Sequence, residues 1–201
     1  MHGQRHRCGH GVICGSSAAF YDRLLSRWLL RRLYRAVARE LLAALPPGAA
    51  VLDVGTGPGR LLVELARSRP DFRLVGVDPS EDMVRRGRHH ARTAGLEERI
   101  EFHTVAAESL PFPAGAFDAV VSTLSAHHWA DPAAAINEQA RVLRPGGQLR
   151  VYDLRREGLE DLTPLLASAL PGTVQTRKRL AGLVASRIGC LTVVKRAGEL
   201  D

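Results

Sequence analysis

Three glycines in five residues constrain this chain most strongly, because they follow a short apolar run and precede a helical pattern. The segment from Asp53 to Gly59 reads Asp-Val-Gly-Thr-Gly-Pro-Gly and comes directly after the apolar residues 50–52. Glycine lets the backbone bend sharply and approach a ligand without a side chain in the way. Leucines then recur at the spacing of one helix face over residues 60–68. The segment therefore predicts a strand, a glycine-rich turn and a helix in immediate succession.

The same alternation of strand and helix patterns continues along the chain. Strands are predicted over 50–54, 72–77, 100–105, 117–122 and 148–153, helices over 60–68, 80–94, 131–143 and 159–170, and a terminal hairpin over 173–177 and 190–195. Strands separated by helices form largely parallel sheets that carry helices on both faces. We therefore expect an α/β fold, with a Rossmann-like, mostly parallel sheet flanked by helices and a terminal antiparallel hairpin. Such sheets bind ligands at the carboxyl edge of their strands.

The N-terminal part divides into a polar tail and a long helix. Residues 1–18 are rich in Gly, His, Ser and Arg and have no apolar period, so we expect a disordered tail. Apolar residues recur every three or four positions from there to a Pro-Pro-Gly stop, which predicts a helix over 20–45 with arginines on its opposite side. We expect residues 19–201 to form a single domain.

Composition limits the class of protein. A chain of 201 residues that is 45% apolar and 24% charged is expected to form one globular core. It has no apolar run of about 18 residues and no secretory signal pattern, and its three cysteines are few and odd in number, so we expect a cytoplasmic protein. The net charge of +7 admits nucleic acid or an anionic surface as a partner.

The residue after the third glycine argues against a dinucleotide cofactor. A dinucleotide-binding turn of the form G-x-G-x-x-G needs a glycine at position 60, where the helix packs closely on the strand. Arg60 occupies that position, so nicotinamide dinucleotides are disfavoured. Asp53, two residues before the first glycine, can orient the amides of the loop or meet a cationic group.

The glycine turn and four later segments together resemble the class I S-adenosylmethionine-dependent methyltransferases, in particular the small ubiquinone/menaquinone-biosynthesis-like enzymes of type 11. An acid followed by G-x-G-x-G is similar to the first motif of that family. The later matches follow in the family's order and spacing, at residues 75–80 with Met83, 110–112, 117–122 and 141–149. The resemblance covers about residues 50–153. It implies S-adenosylmethionine as cofactor, S-adenosylhomocysteine as product, and an N-terminal capping helix over the cofactor cleft.

The resemblance also implies which residues contact the cofactor. Asp78 would accept hydrogen bonds from both ribose hydroxyls, and Met83 would lie against the adenine. Where the family commonly has an acid that binds the adenine amino group, this chain has Ala106, so the N–H of Ala107 or the side chain of Glu108 is expected to make weaker or water-mediated contacts. The full expected set is Tyr21, Asp53, Gly55, Thr56, Gly57, Gly59, Asp78, Pro79, Met83, Ala106, Ala107, Glu108, Thr123 and Leu124.

Two adjacent histidines are the candidate catalytic residues. His127 and His128 follow the fourth predicted strand at the ligand edge, and a histidine there has a suitable pKa to take a proton from a hydroxyl or amine. The alternative is that they pack against the cofactor or bond the loop backbone, since orientation alone supplies much of the catalysis of methyl transfer. Trp129 is expected in the core or the pocket wall. No metal site is expected, because Cys8, Cys14 and the histidines near them do not have a zinc-binding spacing.

Three functions remain open at this point. The first is a methyltransferase acting on a hydroxyl, amine or activated ring carbon of a small molecule. The second is an RNA or protein methyltransferase that uses the arginine-rich surface, and the third is a non-catalytic cofactor-binding domain, supported mainly by Ala106. We expect a small-molecule substrate, a monomer or homodimer, no transmembrane segment, and at most peripheral membrane contact through the basic side of helix 20–45.

Overall fold

The computed structural model describes residues 27–153, 156–170, 174–177 and 188–196, and within them strands and helices alternate as predicted. The sheet contains strands β1 (Ala50–Val54), β2 (Arg73–Asp78), β3 (Ile100–Thr104), β4 (Phe117–Thr123), β5 (Leu143–Asp153), β6 (Val174–Arg177) and β7 (Gly189–Val194). The α-helices are α1 (Arg27–Ala44), α2 (Arg60–Ser68), α3 (Glu81–Thr93), α4 (Pro132–Val142) and α5 (Arg156–Ala169), and short 3₁₀ turns cover Glu97–Arg99 and Ala126–His128.

The strand order is β3-β2-β1-β4-β5-β7-β6. Strands β1 to β5 run parallel to one another, and β7 runs antiparallel to both β5 and β6. This arrangement confirms the mostly parallel, Rossmann-like sheet and the terminal antiparallel hairpin. The chain leaves β1 toward β2 on one side and returns to β4 on the other, so a crevice opens at the carboxyl ends of β1 and β4, where ligands bind in folds of this kind.

Each face of the sheet has its own apolar core. Val51 points into the core shared with α1, α2 and α3, and Leu52 and Val54 point into the core shared with α4 and α5. This alternation follows from the two-residue period of a strand, and it explains why β1 reads as a continuous apolar run. Helices on both faces leave the two ends of the strands as the accessible edges of the sheet.

A half-buried polar contact joins α1 to the sheet. The hydroxyl of Tyr152 in β5 donates to Oε2 of Glu40 in α1 at 2.9 Å, and Nη1 of Arg150 donates to the same oxygen at 3.3 Å. Helix α1 ends one residue before the predicted end of helix 20–45, while residues 20–26 of that prediction and the predicted tail 1–18 lie outside the described residues. No described helix is long and apolar enough to cross a membrane.

The start of β5 was predicted wrongly. The sequence Pro-Gly-Gly at 145–147 indicated a turn before a strand at 148–153, but β5 begins at Leu143, which pairs with Phe117 of β4. The register shifts before Ala119 pairs with Gln148. The N–H of Gly146 donates to the carbonyl of Lys195 at 2.9 Å, so the segment after β7 continues the hydrogen bonding across this irregularity. Proline and two glycines therefore form an irregular stretch inside the strand and do not end it.

Candidate active site

A cleft opens at the carboxyl ends of β1, β2 and β4, and Tyr34 of α1 contributes to its lining. It contains about 900 Å³ of space free of protein atoms, including space open to solvent. Its lining residues are Tyr34, Gly55, Gly57, Pro58, Asp78, Pro79, Met83, Ala106, Ala107, Glu108, Thr123, Leu124, Ser125, His128, Trp129 and Ala130. Most of this surface is apolar, and the cleft lies where the sheet topology predicted a ligand.

The glycine loop is held between β2 and the loop after β4. The N–H groups of Gly55 and Thr56 both donate to the carbonyl of Val77 at 2.9 Å. Gly55 has φ +69°, and a Cβ added there would lie 2.3 Å from Oγ of Ser125. That hydroxyl bonds the carbonyl of Val54 at 2.9 Å, so it cannot move aside without loss of a buried hydrogen bond. Both the backbone angle and the close approach of Ser125 therefore require glycine at position 55.

Asp53 lies behind the glycine loop and does not line the cleft. Its side chain is buried, Oδ2 accepts a hydrogen bond from Oγ1 of Thr56 at 2.8 Å, and Oδ1 has no partner among the described residues. Burial raises the pKa of Asp53 to about 7, against the lowering effect of the Thr56 hydrogen bond, and the charge of Asp78 raises it further. Asp53 therefore holds the loop from inside, and Thr56 and Gly59 also lie outside the cleft lining.

Asp78 ends β2 and faces the cleft with a preoriented carboxyl group. Oδ2 accepts from the N–H of Gly57 and Oδ1 from the N–H of Ser80, both at 2.9 Å. Burial raises the pKa of Asp78 from its ordinary value, and these two backbone N–H groups act in the opposite direction. A carboxylate oxygen accepts two hydrogen bonds, so each oxygen retains one free position for a ligand such as a vicinal diol.

The loop after β3 places Ala106, Ala107 and Glu108 in the cleft lining. Oε1 of Glu108 accepts from the N–H groups of Ala130 and Asp131 at 2.8 and 3.2 Å. These contacts tie the loop to the start of α4. A movement of Glu108 toward an adenine would break two hydrogen bonds to a charged acceptor.

The loop after β4 carries a strained residue and both candidate histidines. Leu124 has φ +57°, which is uncommon for a bulky side chain and found where function requires it. His128 lines the cleft, and burial, followed by the charge of His127, lowers its pKa from the ordinary value. His127 lies outside the cleft lining, and its Nδ1 is 2.9 Å from both carboxyl oxygens of the buried Asp153 at the end of β5. The two imidazole ring centres are 4.0 Å apart.

Unsatisfied polar atoms collect around this cleft. Among the described residues, buried side-chain atoms without a hydrogen-bond partner include Oγ1 of Thr123 and Nε1 of Trp129, and both residues line it. Oδ1 of Asp53 lies behind the glycine loop that forms one wall. Because an unpaired buried polar group is costly, such atoms at a cleft indicate positions that a ligand or ordered water satisfies.

Five lining residues were in neither the expected cofactor set nor the candidate catalytic pair: Tyr34, Pro58, Ser125, Trp129 and Ala130. Pro58 lies inside the glycine loop, and Ser125 and Ala130 lie on the loop that carries the two candidate histidines. Their positions in the sequence therefore indicated that they could line the ligand site. Tyr34 lies inside the predicted helix 20–45, and no local pattern indicated that it reaches the cleft. Tyr21, expected at the cofactor, lies outside the described residues.

Comparisons with known proteins match this chain to methyltransferases. A family described as a methyltransferase domain matches residues 51–147. The demethylmenaquinone methyltransferase of Porphyromonas gingivalis is 35% identical over 142 residues, 69% of this chain and 58% of that protein. The 27-O-demethylrifamycin SV methyltransferase of Amycolatopsis mediterranei is 37% identical over 106 residues, 53% of this chain and 39% of that protein. The chain thus spans about half the length of the curated relatives that it matches.

A solved structure shares the whole fold. It is a candidate S-adenosyl-L-methionine-dependent methyltransferase of Methanococcus maripaludis with a TM-score of 0.82 at 19% identity, covering 99% of this chain and 100% of that one. The strand order, the glycine loop and the acid that ends β2 define a class I methyltransferase domain. With the sequence matches, they show that residues 51–147 form a methyltransferase domain, similar to that of the S-adenosylmethionine-dependent enzymes of the ubiquinone/menaquinone-biosynthesis-like type.

Proposed function

We propose that this protein transfers a methyl group from S-adenosylmethionine to a small organic acceptor. The observation that carries the proposal is the cleft in which the carboxyl group of Asp78 stands beside the glycine loop, held by the N–H of Gly57. A carboxylate with two free acceptor positions suits the two hydroxyls of a ribose, and a loop without side chains suits the close approach of a ligand.

The residues present fit this cofactor. Asp78 would hold the ribose, Met83 and Ala107 would contact the adenine, and Gly55 and Gly57 would pass beneath the methionine part. The unpaired Oγ1 of Thr123 offers a polar partner on the opposite wall. The bound cofactor supplies an electrophilic methyl group on a positively charged sulfur, so the protein itself must orient an acceptor and exclude water.

The lining of the cleft favours an apolar, flat acceptor. Tyr34, Leu124 and Trp129 belong to the lining, and its described carboxyl and imidazole groups are those of Asp78, Glu108 and His128. The two curated relatives are named for demethylmenaquinone and for a rifamycin, both of which are ring compounds. We therefore propose a ring-containing metabolite of quinone-like or related character as the acceptor class.

His128 is the proposed proton acceptor. It lines the cleft, and its lowered pKa keeps the imidazole neutral at pH 7, so one ring nitrogen can receive a proton from an acceptor hydroxyl. A carboxylate accepts hydrogen bonds and does not donate them, so Nδ1 of His127 carries the hydrogen toward Asp153. His127 and Asp153 thus form a fixed pair beside His128 and act as positioning residues.

Transfer itself is tested with methyl-labelled S-adenosylmethionine and fractionated cell extract, in the presence and absence of nuclease. The proposal expects label in a small organic product, insensitive to nuclease and absent with the Asp78→Ala variant. Label lost on nuclease treatment, or found on protein, would assign the activity to a macromolecule. Cofactor binding without any labelled product would leave a non-catalytic binding domain.

A further inference from the structure

A second groove lies on the outer side of the glycine loop, between α1, α2 and α3. It contains about 1200 Å³ of atom-free space, including space open to solvent, and its walls are mostly polar. Arg31 of α1, Arg60 and Arg67 of α2 and His90 of α3 face it, together with Glu64. We call this the arginine groove. No part of the proposed methyl transfer uses these side chains.

The arginine groove has an excess of positive charge. Three arginines line it, and Glu64 is the only carboxylate in its described lining. Glu64 is 4.0 Å from Nε of Arg31 and 4.0 Å from Nη1 of Arg67, with side-chain exposures of 57% and 51% for the two arginines. A direct N–H···O bond is about 2.7–3.2 Å long, so these separations leave the two guanidinium groups with donors for a ligand.

The arginine groove lies next to the proposed cofactor cleft and shares none of its carboxyl or imidazole groups. Tyr34 lines both spaces, and Arg60 is the first residue of α2, directly after the glycine loop. Nδ1 of His90 donates to the carbonyl of Pro58 at 2.9 Å, which holds the loop from the groove side. A ligand in the groove would therefore contact the back of the loop whose front faces the cleft.

We propose that the arginine groove binds a small phosphorylated molecule through its phosphate oxygens. Guanidinium groups offer paired donors that match phosphate geometry, and those of Arg31 and Arg67 face the groove from two different helices. Tyr34 is the only Phe, Tyr or Trp in its described lining, and it is buried, so the groove lacks the aromatic platforms on which single-stranded RNA stacks.

Calorimetric titration with inorganic pyrophosphate at constant ionic strength tests this proposal. We expect saturable one-to-one binding that weakens as salt rises, because the arginines are partly exposed. Removal of charged hydrogen bonds should lower the affinity by about tenfold or more in Arg31→Gln and again in the Arg31→Gln/Arg67→Gln double variant. Arg73→Gln is the matched control, since Arg73 is similarly exposed and pairs with Glu101 away from the groove.

A second variant keeps the test independent of misfolding. Glu64→Gln removes the only carboxylate in the described lining and should increase the affinity for pyrophosphate, a gain that a damaged fold would not produce. Absence of saturable binding, equal affinity in the double variant, or binding of an oligoribonucleotide without binding of pyrophosphate would each overturn the proposal. S-adenosylhomocysteine titrated into the same samples should bind with unchanged affinity, which separates this outcome from failure of the proposed methyltransferase function.

Discussion

Replacement of Asp53 by Asn should remove a pH-dependent loss of stability. Burial raises the pKa of Asp53 from its ordinary value of 3.8 to about 7. The stabilising contribution of this group is therefore fully present below pH 3.8 and is lost as the pH rises through about 7, because the folded state holds a proton that the unfolded state releases. At about 1.4 kcal/mol per pKa unit, the total loss of folding stability as the pH rises amounts to about 4 kcal/mol. About 3 kcal/mol of this loss falls between pH 5 and pH 8. Asn cannot ionise, and it retains an oxygen that accepts the Thr56 hydroxyl.

Urea unfolding of the wild type and Asp53→Asn at a series of pH values measures this effect. The free energy of unfolding of the variant minus that of the wild type should increase by about 3 kcal/mol from pH 5 to pH 8. Asp71→Asn is the control, because hydrogen bonds from Arg69 and Gly48 lower the pKa of Asp71, so its contribution changes only in more acidic solution. A difference between Asp53→Asn and the wild type that stays constant with pH would refute the argument that Asp53 is buried without a charge partner.

Two further predictions concern the histidine loop and the attachment of α1. If neutral His128 receives the acceptor's proton, the turnover rate should rise with pH through a value below 6.5 and stay level above it. The His128→Gln variant should lower turnover about 100-fold or more while it binds S-adenosylhomocysteine normally. Unchanged turnover in this variant would exclude the role. Tyr152→Phe removes the half-buried hydrogen bond to Glu40 and should cost about 1–3 kcal/mol in the free energy of unfolding, measured in urea. A cost near zero would show that the contact does not hold α1.

Local sequence patterns predicted the fold because each of them has a direct physical basis. Alternation of apolar strands with amphipathic helices predicted the parallel sheet, and Ser80 accepts the N–H of Met83 at the start of α3 as its sequence position indicated. The start of β5 was predicted wrongly, because the residue that continues the hydrogen bonding through Gly146 is Lys195, which lies far along the chain. Local turn residues give no information on such a partner.

Site residues that follow the ends of predicted strands could be predicted from the sequence. Site residues that reach the cleft only through the packing of distant elements could not. Asp78 and His128 lie at the carboxyl edge because their strands end there. Tyr34 lines the cleft because of how α1 packs on the rest of the fold, which no local pattern reveals. The contact of His127 with Asp153 joins residues 26 positions apart, although both follow or end predicted strands at the same edge, and that shared edge was an available signal.

The most direct test of the central claim is the calorimetric titration of S-adenosylhomocysteine into the wild type, Asp78→Ala and Asp71→Ala. One-to-one binding is expected for the wild type and Asp71→Ala, and the affinity of Asp78→Ala should fall by about 1.5–3 kcal/mol for each charged hydrogen bond lost to the ribose. Asp71 is a suitable comparison because it also accepts a backbone N–H, at 2.6 Å, but lies exposed before β2. Failure of the wild type to bind either S-adenosylmethionine or S-adenosylhomocysteine, or equal affinity in Asp78→Ala, would contradict the account.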